Sequence, residues 1–504
     1  MNKALLVVSI LLFQIIGFSQ NTTGKILDAT TGESIPYANI SISGAENLIT
    51  NEEGVFTLSD KHNDNIQFAV SYLGYVSQQL SIGELKKQQN TIKLQPGVFE
   101  LSDVDVSKVK MDANSIMAEV KKNLKKNYGN DNKTLKTTLF MRELSTFKPK
   151  KLDIEITKST GFTKSKLKEA NDDVTKFTSR LVSNPPLEFT DMLCKYYTGK
   201  IDGKEKPVFM TKLDVVKATK LKDETRSVAI EDMEKLAANI FLKHLDTTKY
   251  YRFKSGWIGS RDTISFRKDF NKKKKKKEKT SELDVAKNDI SGFLAGINVL
   301  NGKKMEFINN TEIYEYSYEG AMYSNKNEFV YVINFKPRKS KANYTGKLYV
   351  SEADFAVVRA EYNLAKGKTL GGINLKLLLG VKASENLGRG TVTYKQNKDG
   401  IYFVQYASVE TGQYIYLNRP LKFIELTDED KDVVALDLKV EGNSFNKVEF
   451  LNIAQEEIAS GELEKMKEED FNFTRLKRYD PKIWKDYTAI EPLEEMKQFK
   501  VVEE

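Results

Sequence analysis

The chain has 504 residues, with 79 Lys and Arg against 70 Asp and Glu, a formal charge of +9, and a 40% hydrophobic fraction that includes 27 Phe and 23 Tyr. That aromatic content excludes a chain disordered throughout, and the length predicts about three domains. A single cysteine, Cys194, excludes an intrachain disulfide, and two histidines, His62 and His244, exclude most zinc sites.

Lys3, the apolar run Ala4 to Gly17, and the small residues Gly17 and Ser19 predict a secretory signal peptide over residues 1–19. The run is shorter than the ~20 residues a spanning helix needs. No cysteine stands near the cleavage site to take a lipid. The mature chain is expected to be exported, to the periplasm or to the periplasmic face of the outer membrane.

Residues 20–107 alternate short apolar runs with turn signals, the pattern of a β-sandwich. Gly24 to Asp28, Pro36 to Ser43, Val55 to Leu58, Ile66 to Tyr72 and Thr91 to Leu94 read as strands. Gly32 and Gly54 mark turns, with Gly54 expected at positive φ. The order Gly24…Asp28, Gly32, Pro36-Tyr37-Ala38-Asn39-Ile40, Thr50, Gly54-Val55-Phe56, Leu73-Gly74-Tyr75 resembles the carboxypeptidase-regulatory-like domain of bacterial envelope proteins. The resemblance implies a transthyretin-like sandwich without catalytic residues of its own. The peptidase that such a module sometimes accompanies would need paired histidines and a glutamate; His62 and His244 stand in no such pattern. Phe99 to Val106 is also similar to the connector leading into plug domains of outer-membrane nutrient receptors, but a barrel of about 22 strands needs more chain than remains.

Residues 108–290 read as a mixed α/β region. Asp112 is placed to cap a helix with Ile116, Met117, Val120 and Leu124 on one face, ending near Gly129. Ile154 to Thr157 reads as a strand. Phe189, Met192, Leu193, Tyr196 and Tyr197 have helical spacing and predict a helix over 187–197 that carries Cys194. A second helix is expected over 228–245, with His244 on its flank, and His62 is expected to be solvated. Lys272, Lys273, Lys274, Lys275, Lys276 and Lys277 form a solvated basic loop that would be drawn to anionic lipid phosphates. The run has no interleaved aromatics for base stacking, and an export signal leads away from nucleic acid, so nucleic acid is not an expected partner.

Residues 291–425 show period-2 alternation and predict an antiparallel sheet or open half-barrel. Strands are expected over 312–318, 328–335, 343–350, 355–362, 370–381, 390–395 and 401–409, the last two joined by Asn397-Lys398-Asp399-Gly400. Ile373, Leu375, Leu377 and Leu379 would share one face and are candidate lipid-facing residues. The hairpin Tyr344 to Arg359 is similar to hairpins of lipoprotein carriers, which wrap a half-barrel around lipid chains. Residues 426–504 form an acidic tail, helical over 456–469 and then extended through Tyr479-Asp480-Pro481 and Ile490-Glu491-Pro492.

The sequence holds no G-x-S-x-G elbow, phosphate loop, dinucleotide fingerprint or metal-ligand spacing. No catalytic, cofactor or metal residue is assigned. The whole is an α+β multidomain protein, expected to be a non-enzymatic envelope binding or scaffold module whose partner is another envelope protein, a lipid or a glycan. A periplasmic lipid or lipoprotein carrier built on the C-terminal sheet is the alternative, and a hydrolase with dispersed carboxylates a further one.

Overall fold

The computed structural model describes residues 21–59, 61–97, 112–129, 133–159, 162–201, 207–223, 250–255, 258–265, 281–323, 329–425 and 433–501. The signal peptide, the 99–106 connector, the 228–245 helix with His244, and Lys272 to Lys277 lie outside the described residues. The chain is mostly β and forms two compact units.

The first unit contains residues 21–97 together with Asp480–Lys497. Its strands are β1 (Thr22–Asp28), β2 (Asn39–Ile42), β3 (Glu46–Ile49), β4 (Val55–Leu58), β5 (Gln67–Ser71), β6 (Gln78–Ser81) and β7 (Thr91–Leu94), with helix α1 (Ile82–Lys87) before β7. They make two sheets, β4-β1-β7 and β3-β2-β5-β6. Alternate strand residues point inward, so Ile26, Ile40, Phe56, Phe68 and Ile92 are buried, and Leu85 of α1 joins them.

The turns are fixed by specific polar groups. Asp28 accepts hydrogen bonds from the Thr30 and Thr31 amides at 2.6 and 2.8 Å and from the Tyr75 hydroxyl at 2.6 Å. Thr50 Oγ1 accepts from the Ala38 amide at 2.8 Å and donates to the Ile35 carbonyl at 2.9 Å. Gly54 has φ +72°, and a Cβ there would sit 2.9 Å from the Ile26 carbonyl oxygen. His62, expected in solvent, is instead half-buried, 3.5 Å from Glu46. Residues 480–497 run along this unit: Thr57 Oγ1 donates to Glu491 at 2.6 Å, Ser59 Oγ to the Lys485 carbonyl at 3.2 Å, and Thr488 bonds Glu46.

The second unit is built on one 14-stranded open sheet. Its strands are β8 (Leu135–Ser159), β9 (Leu187–Ile201), β10 (Val208–Lys222), β11 (Tyr250–Ser255), β12 (Ile258–Ser265), β13 (Tyr314–Tyr323), β14 (Phe329–Pro337), β15 (Tyr344–Ser351), β16 (Val357–Leu364), β17 (Gly372–Leu375), β18 (Val381–Gln396), β19 (Tyr402–Glu425), β20 (Val433–Glu457) and β21 (Thr474–Leu476). The main path runs β13-β14-β15-β16-β18-β19-β20-β8-β9-β10-β21. Strands from the stretches 108–290, 291–425 and 426–504 share this sheet, since β20 pairs with β8 along almost its whole length on one side and with β19 on the other.

Register decides which side chains share a face. Ile333, Leu348, Ala360, Val392, Ala407, Phe450, Met141, Met192 and Ala218 stand opposite one another across nine strands. This apolar face belongs to the core shared with helices α2 (Ala113–Tyr128) and α4 (Glu282–Gly296) and the short turn α5 (Glu306–Asn309). Asp112 caps α2 as expected, accepting from the Asn114 and Ser115 amides. Phe307 stacks on Phe335 at 4.3 Å, Phe293 meets Phe450 at 6.0 Å, and the Tyr128 hydroxyl donates to the Val357 carbonyl at 2.7 Å. Helix α3 (Lys164–Ser183) places Ala170 against Ile156 near the far end of β8.

The opposite face carries a polar row: Asn334, Lys347, Glu361, Thr391, Ser408, Glu449, Arg142, Asp191 and Thr219. Towards one end of the row Arg142 holds Asp191 with two 2.7 Å hydrogen bonds, both side chains almost fully buried. Burial disfavours the Arg142 charge, and the Asp191 carboxylate more than offsets it.

Three expectations are corrected. Residues 187–197 are strand β9, not a helix; both faces of β9 are buried there, so the period-2 signal is lost and the apolar spacing imitates a helix. Residues 370–381 do not form one strand: β17 gives way to the helical turn α6 (Lys376–Leu379) and Gly380. The helix expected over 456–469 is confined to Ser460–Lys465, because β20 continues to Glu457.

Two predictions follow from these locks. Hydrogen bonding to Tyr75 holds the Asp28 carboxyl below the usual carboxylate range, with help from the Thr31 amide. The folded value lies below the unfolded one, so the stabilisation is present above about pH 4 and is lost as pH falls through the folded value. Asp28→Asn should lower the melting temperature at neutral pH, and the gap to the native chain should close in acid; a gap constant with pH would refute the assignment. In the second unit, Asp191→Ala should cost about 3–5 kcal/mol by leaving Arg142 as a buried unpaired charge. Urea titration reads this as a lower midpoint, and the paired change Arg142→Met with Asp191→Leu should recover most of it.

Candidate binding groove

The long central strands set up the site. β8 and β20 have 25 residues each and β19 has 24, so each is on the order of 80 Å when extended. The covering helices α2 and α4 have 16 and 15 residues, about 24 Å. Helix α3, of 20 residues, packs farther along β8 against Ile156, and no residue of α2, α3 or α4 lines the stretch around Thr411 and Asn446.

A groove of about 380 Å³ opens on this stretch. Its floor is a cross-strand row of Thr411, Asn446 and Ser145, followed by Gln413 and Ser444. Leu370, packed where a Cβ on Gly388 would sit, adds an apolar wall. Ser145 also lines an adjoining pocket of about 140 Å³, where Glu143, Glu188 and Thr190 face Glu282 and Asp289 of α4. Glu143 accepts from Asn446 Nδ2 and, at 3.4 Å, from Ser145 Oγ. That leaves the buried Asn446 Oδ1 without a hydrogen-bond partner. Lys220 pairs with Glu188 at 3.2 Å. Asp289 stands at the rim, its carboxyl pushed up by desolvation and by the charge of Glu143. The pocket wall thus has more carboxylates than cations, and hydroxyls and amides dominate the groove floor.

This arrangement offers hydrogen bonds and negative charge but no activated nucleophile. Cys194 is fully buried in β9, and burial, then the nearby Asp214, push its thiol well above the usual range. Among the described residues no cluster of His, Cys, Asp and Glu has the geometry to hold a metal ion. Also among them, no helix is long and apolar enough to cross a membrane.

The comparisons with known proteins bear on the first unit. Residues 22–106 match the CarboxypepD_reg-like domain. No peptidase domain is found beside it. Within the CarboxypepD_reg-like domain, Asp28, Thr50, Gly54 and Tyr75 are the turn-fixing groups described above. No curated protein matches the chain. Among solved structures, a DUF1329 family protein from Desulfovibrio piger is 10% identical, covering 70% of this chain and 97% of its own, with a TM-score of 0.20. The MucA/MucB complex structure from Pseudomonas aeruginosa is 7% identical, with coverage of 64% and 93% and a TM-score of 0.14. The COG4313 outer membrane channel from Pseudomonas putida is 7% identical, with coverage of 64% and 97% and a TM-score of 0.13. Overlaps this slight carry no argument about function.

The candidate lipid-facing residues do not line this groove or the adjoining pocket. Ile373 and Leu375 lie on β17 and Leu377 on α6, all exposed, while Leu379 is half-buried. Only Leu370, at the base of that excursion, reaches the groove. The sequence reading did not find Glu143, Asp289, Asn446 or Gln413, because pairing of β8 with β20 joins positions some three hundred residues apart. The buried state of Cys194 gives a direct check: a thiol reagent should leave the native chain unmodified and label it stoichiometrically only in denaturant. Rapid labelling of the native chain would show that β9 is open to solvent.

Proposed function

We propose that this chain is an exported, non-enzymatic binding module of the cell envelope, and that the groove beside Glu143 takes a basic segment of another envelope protein. The observation that carries the reading is a polar groove, adjoined by a carboxylate-rich pocket, lying outside a core already filled with side chains. Hydroxyl and amide groups at Ser145, Thr411, Gln413, Ser444 and Asn446 suit a peptide backbone. Glu143, Glu282 and Asp289 suit lysine or arginine on the same segment. A lipid carrier needs an apolar cavity, and the apolar side of the sheet is occupied by Tyr128, Phe293 and Phe307. The N-terminal pattern around Lys3, Gly17 and Ser19 supports export.

The test places a photo-crosslinking residue at Gln413 in cells and isolates the envelope fraction. One protein should crosslink reproducibly, through a peptide bearing Lys or Arg, and the paired change Glu143→Gln with Asp289→Asn should reduce capture at least tenfold. Stoichiometric lipid in native mass spectra of the purified chain would favour a carrier. Turnover of a small molecule, abolished by one change at Glu143, would favour an enzyme.

A further inference from the structure

The excursion between β16 and β18 ends in the sequence Gly371-Gly372-Ile373-Asn374-Leu375-Lys376-Leu377-Leu378-Leu379-Gly380. Leu377 is fully exposed, Leu378 is 83% exposed and Ile373 is 53% exposed. A soluble surface rarely presents consecutive leucines in this way. The tip is a defined structure. β17 pairs with β18 from Gly372 opposite Ser384 to Leu375 opposite Val381. Gly380 turns the chain at φ +67°, where a Cβ would lie 2.1 Å from the Asn418 carbonyl oxygen.

Register extends the apolar character inward from the tip. Leu375, Val381, Leu417, Val440 and Leu152 stand opposite one another across five strands, each half-buried or exposed. Neighbouring positions carry cations and tyrosines. Lys376 lies over the Tyr416 ring at 4.2 Å and Lys382 over the Tyr414 ring at 5.5 Å. Lys150 and Lys151 stand nearby on β8, paired with Glu441 and Asp153.

From this we propose that the β17–α6 tip is a membrane anchor that inserts Leu377 and Leu378 into an anionic bilayer surface, with Lys376 and Lys382 at the phosphate level. Leucines enter the acyl boundary, tyrosine rings sit in the interface, and lysine ammonium groups meet lipid phosphates. A bilayer fits better than a protein pocket because the exposed Leu377 and Leu378 directly follow the exposed Lys376, with Lys382 close by on β18, so apolar and cationic groups are presented together. The proposal is independent of the groove and holds whether or not the groove binds a partner.

The test is co-flotation of the mature full-length chain with vesicles of phosphatidylcholine containing about one-third phosphatidylglycerol. The native chain should float with these vesicles and much less with pure phosphatidylcholine. Leu377→Asp with Leu378→Asp should lower the partition coefficient at least tenfold, about 1.4 kcal/mol. Its melting temperature should be unchanged, because neither side chain is buried. Leu377→Trp should give a blue shift of indole emission on adding vesicles. Failure of the native chain to float, or equal flotation of the double variant, would overturn the proposal. A dimer in sedimentation velocity that the double variant dissociates, without vesicle binding, would assign the tip to self-association and overturn it too.

Discussion

The second unit depends on a mismatch of length. Strands of 24 and 25 residues outrun each of the helices packed on the sheet, of 15, 16 and 20 residues. Where α2 and α4 lie on the sheet, Met141, Phe450, Ala407 and their neighbours are sealed into one apolar core. Beyond the helices the same face must take another character. It becomes hydroxyl- and amide-rich at Ser145, Asn446 and Thr411, and apolar again at Val381, Leu417 and Leu375. The core, the groove and the projecting leucines are successive zones along the same long strands.

The sandwich of the first unit is held in a different way. Its strands are short, so much of its definition comes from turns. Asp28 ties the end of β1 to Tyr75, Thr50 bridges two backbone groups, and Gly54 fits where a side chain would strike Ile26. These turn groups lie within the segment that matches the CarboxypepD_reg-like domain and belong to the sequence pattern that bears the resemblance, and what they do is fix turns.

Legibility followed locality. The sandwich, the Asp112 cap, the 344–364 hairpin and the Asn397–Gly400 turn were readable because each is specified by residues close in sequence. Strand β9 was not, because burial on both faces removes the alternation that distinguishes a strand. The groove was not, because Glu143 and Asn446 meet only through the pairing of β8 with β20. The tip was half readable: its leucines stand out, but the break after Leu375 depends on Gly380, and that break turns them away from a cavity and into solvent.

The return of residues 480–497 to the first unit has a bearing on biogenesis. Domains generally fold as units, amino-terminal first. Here Thr57 and Ser59 of the sandwich have their hydrogen-bond partners at Glu491 and Lys485, more than four hundred residues later in the chain. The first unit is therefore completed only by residues that follow the strands of the second unit in sequence, so the two units are interleaved along the chain rather than strung one after the other.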